Sequence, residues 1–191
     1  QMEGDFSKAV EAYNRSLQLE PSKDAYSNLA TSYFYLGQFA AAVAQYERAA
    51  ALGEHDHVIQ GNLGDALWQV EGRRNEAIAR YRRAILLAET ELEARPADAA
   101  LHAQLGYYYG RVGDQDQSGR QLSEALAAGP ELLYVQYFVG VSAADKGDRK
   151  TALQAVTALV RLGFPLALLR SAPEFRSLLQ DAEYKKIIGA G

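Results

Sequence analysis

Apolar residues recur along this chain with the spacing of helical faces. In residues 99–130, Leu101, Leu105, Tyr108, Tyr109 and Val112 fall at i, i+4, i+7, i+8 and i+11, which predicts one buried face of a helix. Gly113 ends it, and Ser118, Leu122, Ala125 and Leu126 carry a second helical face up to Gly129 and Pro130. The stretch reads as a helical hairpin. Gly106 and the small Ser118 are expected to leave little bulk between its two axes.

The same pattern is written several times. Tyr26, Leu29, Ala30 and Tyr33 precede Gly37, followed by Ala42, Tyr46 and Ala49. Leu63, Gly64 and Leu67 precede Gly72, then Ala77, Tyr81 and Ala84; Val139, Gly140 and Ala143 precede Gly147, then Ala152, Val156 and Leu159. From Gly4 through Gly37, Gly72, Gly113 and Gly147 the steps are 33, 35, 41 and 34 residues. Full hairpins are expected over about 23–54, 57–95, 98–130 and 132–163. The long step adds about two helical turns at ~3.6 residues per turn. The apolar series continues through Ile85, Ala88 and Leu92, so that helix is predicted to run to about Ala94, protruding before Pro96, first as a tolerated insertion and otherwise as a ridge for a partner.

A period near 34 with a leucine, a small residue and a tyrosine before the glycine, then alanine, an aromatic and alanine, resembles the tetratricopeptide repeat family. Leu29, Ala30, Tyr33, Gly37, Ala42, Tyr46 and Ala49 carry it, as do Leu105, Gly106, Tyr109 and Gly113 with Ala125 and Pro130. The likeness covers residues 4–163, with Gln60, His102 and Gln136 standing where an early aromatic is common. It implies an all-α fold, a right-handed solenoid of antiparallel helical hairpins, with protein binding as its function.

At the start, residues 4–21 read as the second half of a hairpin whose first helix is missing. Phe6, Val10, Tyr13 and Leu17 form a stripe that expects a covering helix, either from a longer chain or from a second copy, so a homo-oligomer through this edge is one expectation. After Gly163 the period is lost. Phe164 and Pro165 turn the chain, Pro173 opens a helix through Leu179, and Asp181 is placed to cap a last helix from Ala182 to Ile188. Residues 164–191 are read as a cap over the last apolar surface, making residues 1–163 the repeat array. More loosely, this tail and the lengthened unit resemble the ends of repeat regions in large bacterial signalling proteins such as serine/threonine kinases, which implies a regulatory appendage.

A formal charge of -4 argues against a nucleic-acid partner. No apolar run approaches the ~18 residues of a membrane span, so no membrane insertion by this segment is expected. With no cysteine there is no thiolate chemistry. His55, Asp56 and His57 sit in a turn without a further ligand, and no nucleophile, general base and acid arrangement or phosphate-cradling loop stands out. No metal or cofactor is expected, and the chain reads as non-enzymatic.

In stacked hairpins the first helices line an inner curve. The stripe opposite their packing faces gives Thr31, Phe34, Asp65, Trp68, Tyr107 and Tyr137, with Asn28 and Asn62 beside it and Tyr35 and Arg111 at its margins, as the candidate contacts of a groove for a protein or peptide partner. Asparagine amides would bond the partner's backbone and the aromatics would supply apolar contact. The competing reading places Trp68 and Tyr107 in the core. Family members that grip a C-terminal carboxylate use lysine and arginine here; Arg111 alone is present, so that specificity is not carried over. The arginines at 73, 74, 80, 82 and 83 are interleaved with glutamates and read as a solvated face.

Overall fold

The computed structural model describes residues 2–189, so Gln1 and the last two residues of the expected cap lie outside the described residues. Among the described residues the chain is all-α, with no strand. In order it folds into α1 (Met2–Leu19), α2 (Lys23–Tyr35), α3 (Phe39–Leu52), α4 (His57–Trp68), α5 (Arg74–Ala94), α6 (Ala99–Val112), α7 (Gln115–Ala128), α8 (Leu133–Lys146), α9 (Arg149–Arg161) and α10 (Leu166–Ser171). A 3-10 helix at Pro173–Leu178 and α11 (Ala182–Ile187) complete it. Two compact units are distinguished, Gln1–Leu87 and Ala88–Gly191.

Local chemistry explains the breaks. Ser22, Asp56, Asp98, Asp114, Asp148 and Asp181 each cap the helix that follows, accepting from backbone N–H groups in its first turn. The four glycines between paired helices all have positive φ; at Gly113 it reaches +90°, a left-handed conformation that an L side chain disfavours by about 1–2 kcal/mol. Gly4 does not act in this way: it lies inside α1, which starts before it.

In the first unit α2 and α3 form one hairpin, α1 packs on α2, and α3 packs on α4. Leu29, Ala30, Val43, Tyr46, Leu63 and Leu67 are buried between them. Gly64 lies so close to Tyr81 that a Cβ there would come within 2.7 Å of the ring. The α5 helix ends at Ala94, where the apolar series and Pro96 place its end.

The second unit pairs α6 with α7 and α8 with α9, with α6 packed on α8. Here the close approach differs from the expectation: Gly106 faces Leu122, whose Cγ would lie 2.6 Å from an added Cβ, while Ser118 sits opposite Gly110. Leucine is bulky, so it is the missing side chain at Gly106 that lets α7 approach.

The tail corrects two further expectations. A helix, α10, precedes the segment opened by Pro173, and that segment is a 3-10 turn ending at Leu178. Leu169, Phe175, Tyr184 and Ile188 are buried, and Phe175 lies against Gly140 of α8. The Tyr184 hydroxyl donates to the Leu169 carbonyl at 2.6 Å, and burial pushes its pKa up to about 12. Arg149 of α9 donates to both oxygens of Asp181 and to Glu183. That hydrogen bond, with the Tyr184 N–H, holds the Asp181 carboxyl below its usual value.

Candidate functional site

The expected contact residues fall into three groups. Phe34 and Tyr107 are buried, at 6% and 3% exposure, which removes both from the surface. Phe34 packs edge-on against Tyr35 and Phe39; Tyr107 packs against Tyr108 and Phe138. For Tyr107 the core reading therefore prevails.

A second group is half-buried and engaged within the chain. Thr31 Oγ1 lies 2.8 Å from the Tyr46 hydroxyl and 3.0 Å from the Ser27 carbonyl. At the equivalent place in the next hairpin Tyr81 donates to Asp65 at 2.7 Å. Both positions thus tie a first helix to the tyrosine of its second helix. Arg111 donates to the Tyr107 hydroxyl at 3.0 Å and to Asp145 at 2.9 Å, so its charge is already met by a carboxylate. Tyr35 stacks on Phe6, ring centroids 5.1 Å apart. Trp68 is covered by the Arg74 guanidinium at 3.8 Å and meets the Tyr81 ring edge-on. Tyr137 lies among Phe138, Phe164 and Phe175.

Asn28 and Asn62 form the third group. They are equivalent residues, 34 apart in sequence, on the neighbouring helices α2 and α4. Asn28 is exposed and Asn62 half-buried, and neither side-chain amide bonds another described residue. Each presents one acceptor and two donors.

On α1, Phe6, Val10, Tyr13 and Leu17 are half-buried. With α1 packed on α2 and Phe6 stacked on Tyr35, the chain itself covers part of the stripe that was expected to await another helix. Asp56, in the histidine-flanked turn, is the N-cap of α4 and pairs with Lys23 at 2.8 Å. Burial alone would raise its pKa, but Lys23 and the N–H groups of Ile59 and Val58 outweigh burial and lower it. The arginine-rich start of α5 is tied locally: Arg73 binds Glu76 and Glu47, and Arg80 donates to Gln60. Tyr109 donates to Glu89; burial first, then that carboxylate, raises its pKa. No described helix is long and apolar enough to cross a membrane.

Sequence reasoning did not find the partners of these groups. The spacing showed which residues share a stripe, but the neighbouring side chains decide which stay open: Phe39 and Phe138 over Phe34 and Tyr107, and Tyr46, Tyr81 and Arg74 on Thr31, Asp65 and Trp68.

These paired helices, turning on a positive-φ glycine with a small residue at the close approach, define an all-α repeat fold. Residues 24–52 match the family model described as tetratricopeptide repeat. The α2–α3 hairpin is thus a tetratricopeptide repeat, and the chain has the fold of tetratricopeptide proteins. A curated relative, small glutamine-rich tetratricopeptide repeat-containing protein 2 of Mycosarcoma maydis, is 29% identical over 82 residues, 42% of this chain and 23% of that protein. The chain therefore spans about a quarter of that relative's length. Among solved structures, a thermophilic tetratricopeptide protein of Thermus thermophilus superposes with a TM-score of 0.59 at 19% identity, covering 98% of this chain and 90% of that one. The Cut9–Hcn1 hetero-tetramer of the APC/C gives 0.55 at 17% identity, covering 98% and 33%. MamA of Desulfovibrio magneticus, from residue 41 to its end, gives 0.50 at 20% identity, covering 83% and 86%.

Proposed function

We propose that this chain is a protein-interaction scaffold, a binding module and not an enzyme, and that the face shared by α2 and α4 takes an extended segment of a partner. The observation that carries this reading is the pair Asn28 and Asn62, whose amides spend no hydrogen bond within the described chain. Neighbouring helix axes lie roughly 8–10 Å apart, and an extended chain rises about 3.3 Å per residue. The two amides therefore match peptide groups three residues apart, each pairing with one C=O and one N–H regardless of sequence. Trp68, with Arg74 over it, adds an amphipathic contact at the C-terminal end of α4. A neighbour in fold, Cut9–Hcn1, is itself a hetero-tetramer, which supports a role in assembly.

The test is selection of peptides from a random library on the immobilised chain, followed by affinity measurement with an Asn28→Ala, Asn62→Ala double variant. Neither side chain supports the fold, so the variant keeps its helical circular dichroism. At least a tenfold loss of affinity is expected; selected peptides that bind the variant equally well would sink the groove. A second reading, self-association through Phe6, Val10, Tyr13 and Leu17, rests on the half-buried stripe of α1. It requires a mass that rises with concentration and falls back when Val10→Glu is introduced.

A further inference from the structure

A cavity of about 490 Å³ opens between α7 and α9 over α8, lined by Leu126, Gln136, Val139, Ala155, Ala158 and Arg161 among others. Its origin is visible when the hairpins are compared position by position. The early residue of the first helix is Tyr26 in α2, Gln60 in α4, His102 in α6 and Gln136 in α8. The equivalent position of the second helix holds Gln45, Arg80, Gln121 and Ala155. In α2 the place is filled by the Tyr26 ring, with the Arg48 guanidinium 5.8 Å from its centroid. In α4 it is closed by Arg80 donating to Gln60 at 3.3 Å. In α6 the His102 ring meets Gln121 at 2.7 Å. In α8, Gln136 turns back to donate to the Pro130 carbonyl at 2.7 Å, and Ala155 has no atoms beyond Cβ. The space is left open.

We infer that this cavity is a second interaction site, which takes an aromatic side chain from a partner segment carrying an acidic residue beside it. The aromatic is argued from Tyr26, the chain's own occupant of the equivalent place. The floor suits it, since Val139 and Ala155 are buried and apolar. The room suits it too, at about 490 Å³. The acidic neighbour is argued from charge. Arg161 is exposed, makes no ion pair among the described residues, and no aspartate or glutamate lines the cavity. A guanidinium at the rim of a pocket lined otherwise by neutral side chains, Gln136, Thr151, Gln154 and Thr157 among them, selects a carboxylate. This site lies in the second unit and stands independently of the asparagine face.

The probe is a synthetic glycine–serine peptide with one tryptophan flanked by glutamates, titrated into the full chain labelled at its alanine, valine and leucine methyls. Saturable shifts at Ala155 and Val139 are expected, with the affinity falling at least tenfold when the peptide's tryptophan becomes alanine and about threefold or more with Arg161→Gln. Ala155→Arg supplies the side chain that closes the α4 position and is expected to abolish the shifts at Val139. Should that variant lose its helical signal, Gln136→Tyr fills the same space with the ring seen in α2 and must give the same loss. The Asn28→Ala, Asn62→Ala variant must bind the probe as the wild type does. Absent shifts, shifts that survive the filled cavity, or shifts indifferent to the tryptophan would each overturn the inference.

Discussion

The hairpin of α4 with α5 and the hairpin of α8 with α9 follow the same plan and close it differently. In the first, polar and aromatic side chains cross from the second helix: Tyr81 to Asp65, Arg80 to Gln60, Arg74 over Trp68. In the second, Val156 and Ala155 stand in place of Tyr81 and Arg80, Arg149 at the place of Arg74 turns to Asp181 and Glu183, and closure comes from downstream, through Phe175 against Gly140 and α11 against α9. The lesson is that one repeat geometry tolerates two ways of satisfying its interior. Internal crossing makes a hairpin depend on its own hydrogen bonds, whereas external covering makes it depend on the tail.

Four substitutions and titrations separate these modes. The largest effect is expected from Phe175→Ala, which removes a fully buried ring and costs about 3–5 kcal/mol, read by denaturant unfolding and by loss of hydrogen-exchange protection in α8 and α9. Protection in α2 and α3 should stay; its loss there would mean that the tail supports more than the hairpin it covers. Gly64→Ala comes next, about 1–3 kcal/mol, because its Cβ would press on the Tyr81 ring at 2.7 Å. Gly140→Ala, with Ala155 Cβ at 3.1 Å, should cost less, and the reverse order would break the comparison.

Asp65→Ala is smaller, about 1–2 kcal/mol, by depriving the Tyr81 hydroxyl of its carboxylate. If Asp65 were instead a partner contact, stability would hold and only binding would fall. Last is pH. The depressed pKa of Asp181 makes its contribution full above the unfolded value of about 3.9 and lost as pH falls through the folded one. Tyr184, raised to about 12, contributes fully below the unfolded value of about 10 and loses this as pH rises through 12. Amide protection in α11, taken relative to the intrinsic exchange rate at each pH, should fall outside that window.

Much of the fold was legible in the sequence because helical periodicity and turn glycines are local signals. Gly37, Gly72, Gly113 and Gly147 mark the turns, and Leu92 with Pro96 marks the end of α5. The short α10 was not legible, since six residues span less than two helical turns and show no period. The candidate site was legible only in part. Asn28 and Asn62 bond no other described side chain, but Phe34 and Tyr107, on the stripe beside them, are buried. Stripe membership is set by the backbone, whereas exposure is set by which neighbouring side chains meet each position, as Phe39 covers Phe34 and Phe138 covers Tyr107. The cavity over α8 was missed for the same reason: it arises from a side chain too short at Ala155, and spacing does not measure length.

Gly113 carries a further consequence, one of handedness. Its φ of +90° and the open space where a Cβ would stand describe a site built for a residue of the opposite chirality. A D-alanine placed there by chemical ligation would adopt this backbone without strain and have fewer unfolded conformations to lose, so it should stabilise the α6–α7 hairpin by about 0.4–1 kcal/mol. L-alanine at the same atom count should destabilise it, and the gap between the two mirror-related residues would measure the turn's chirality directly.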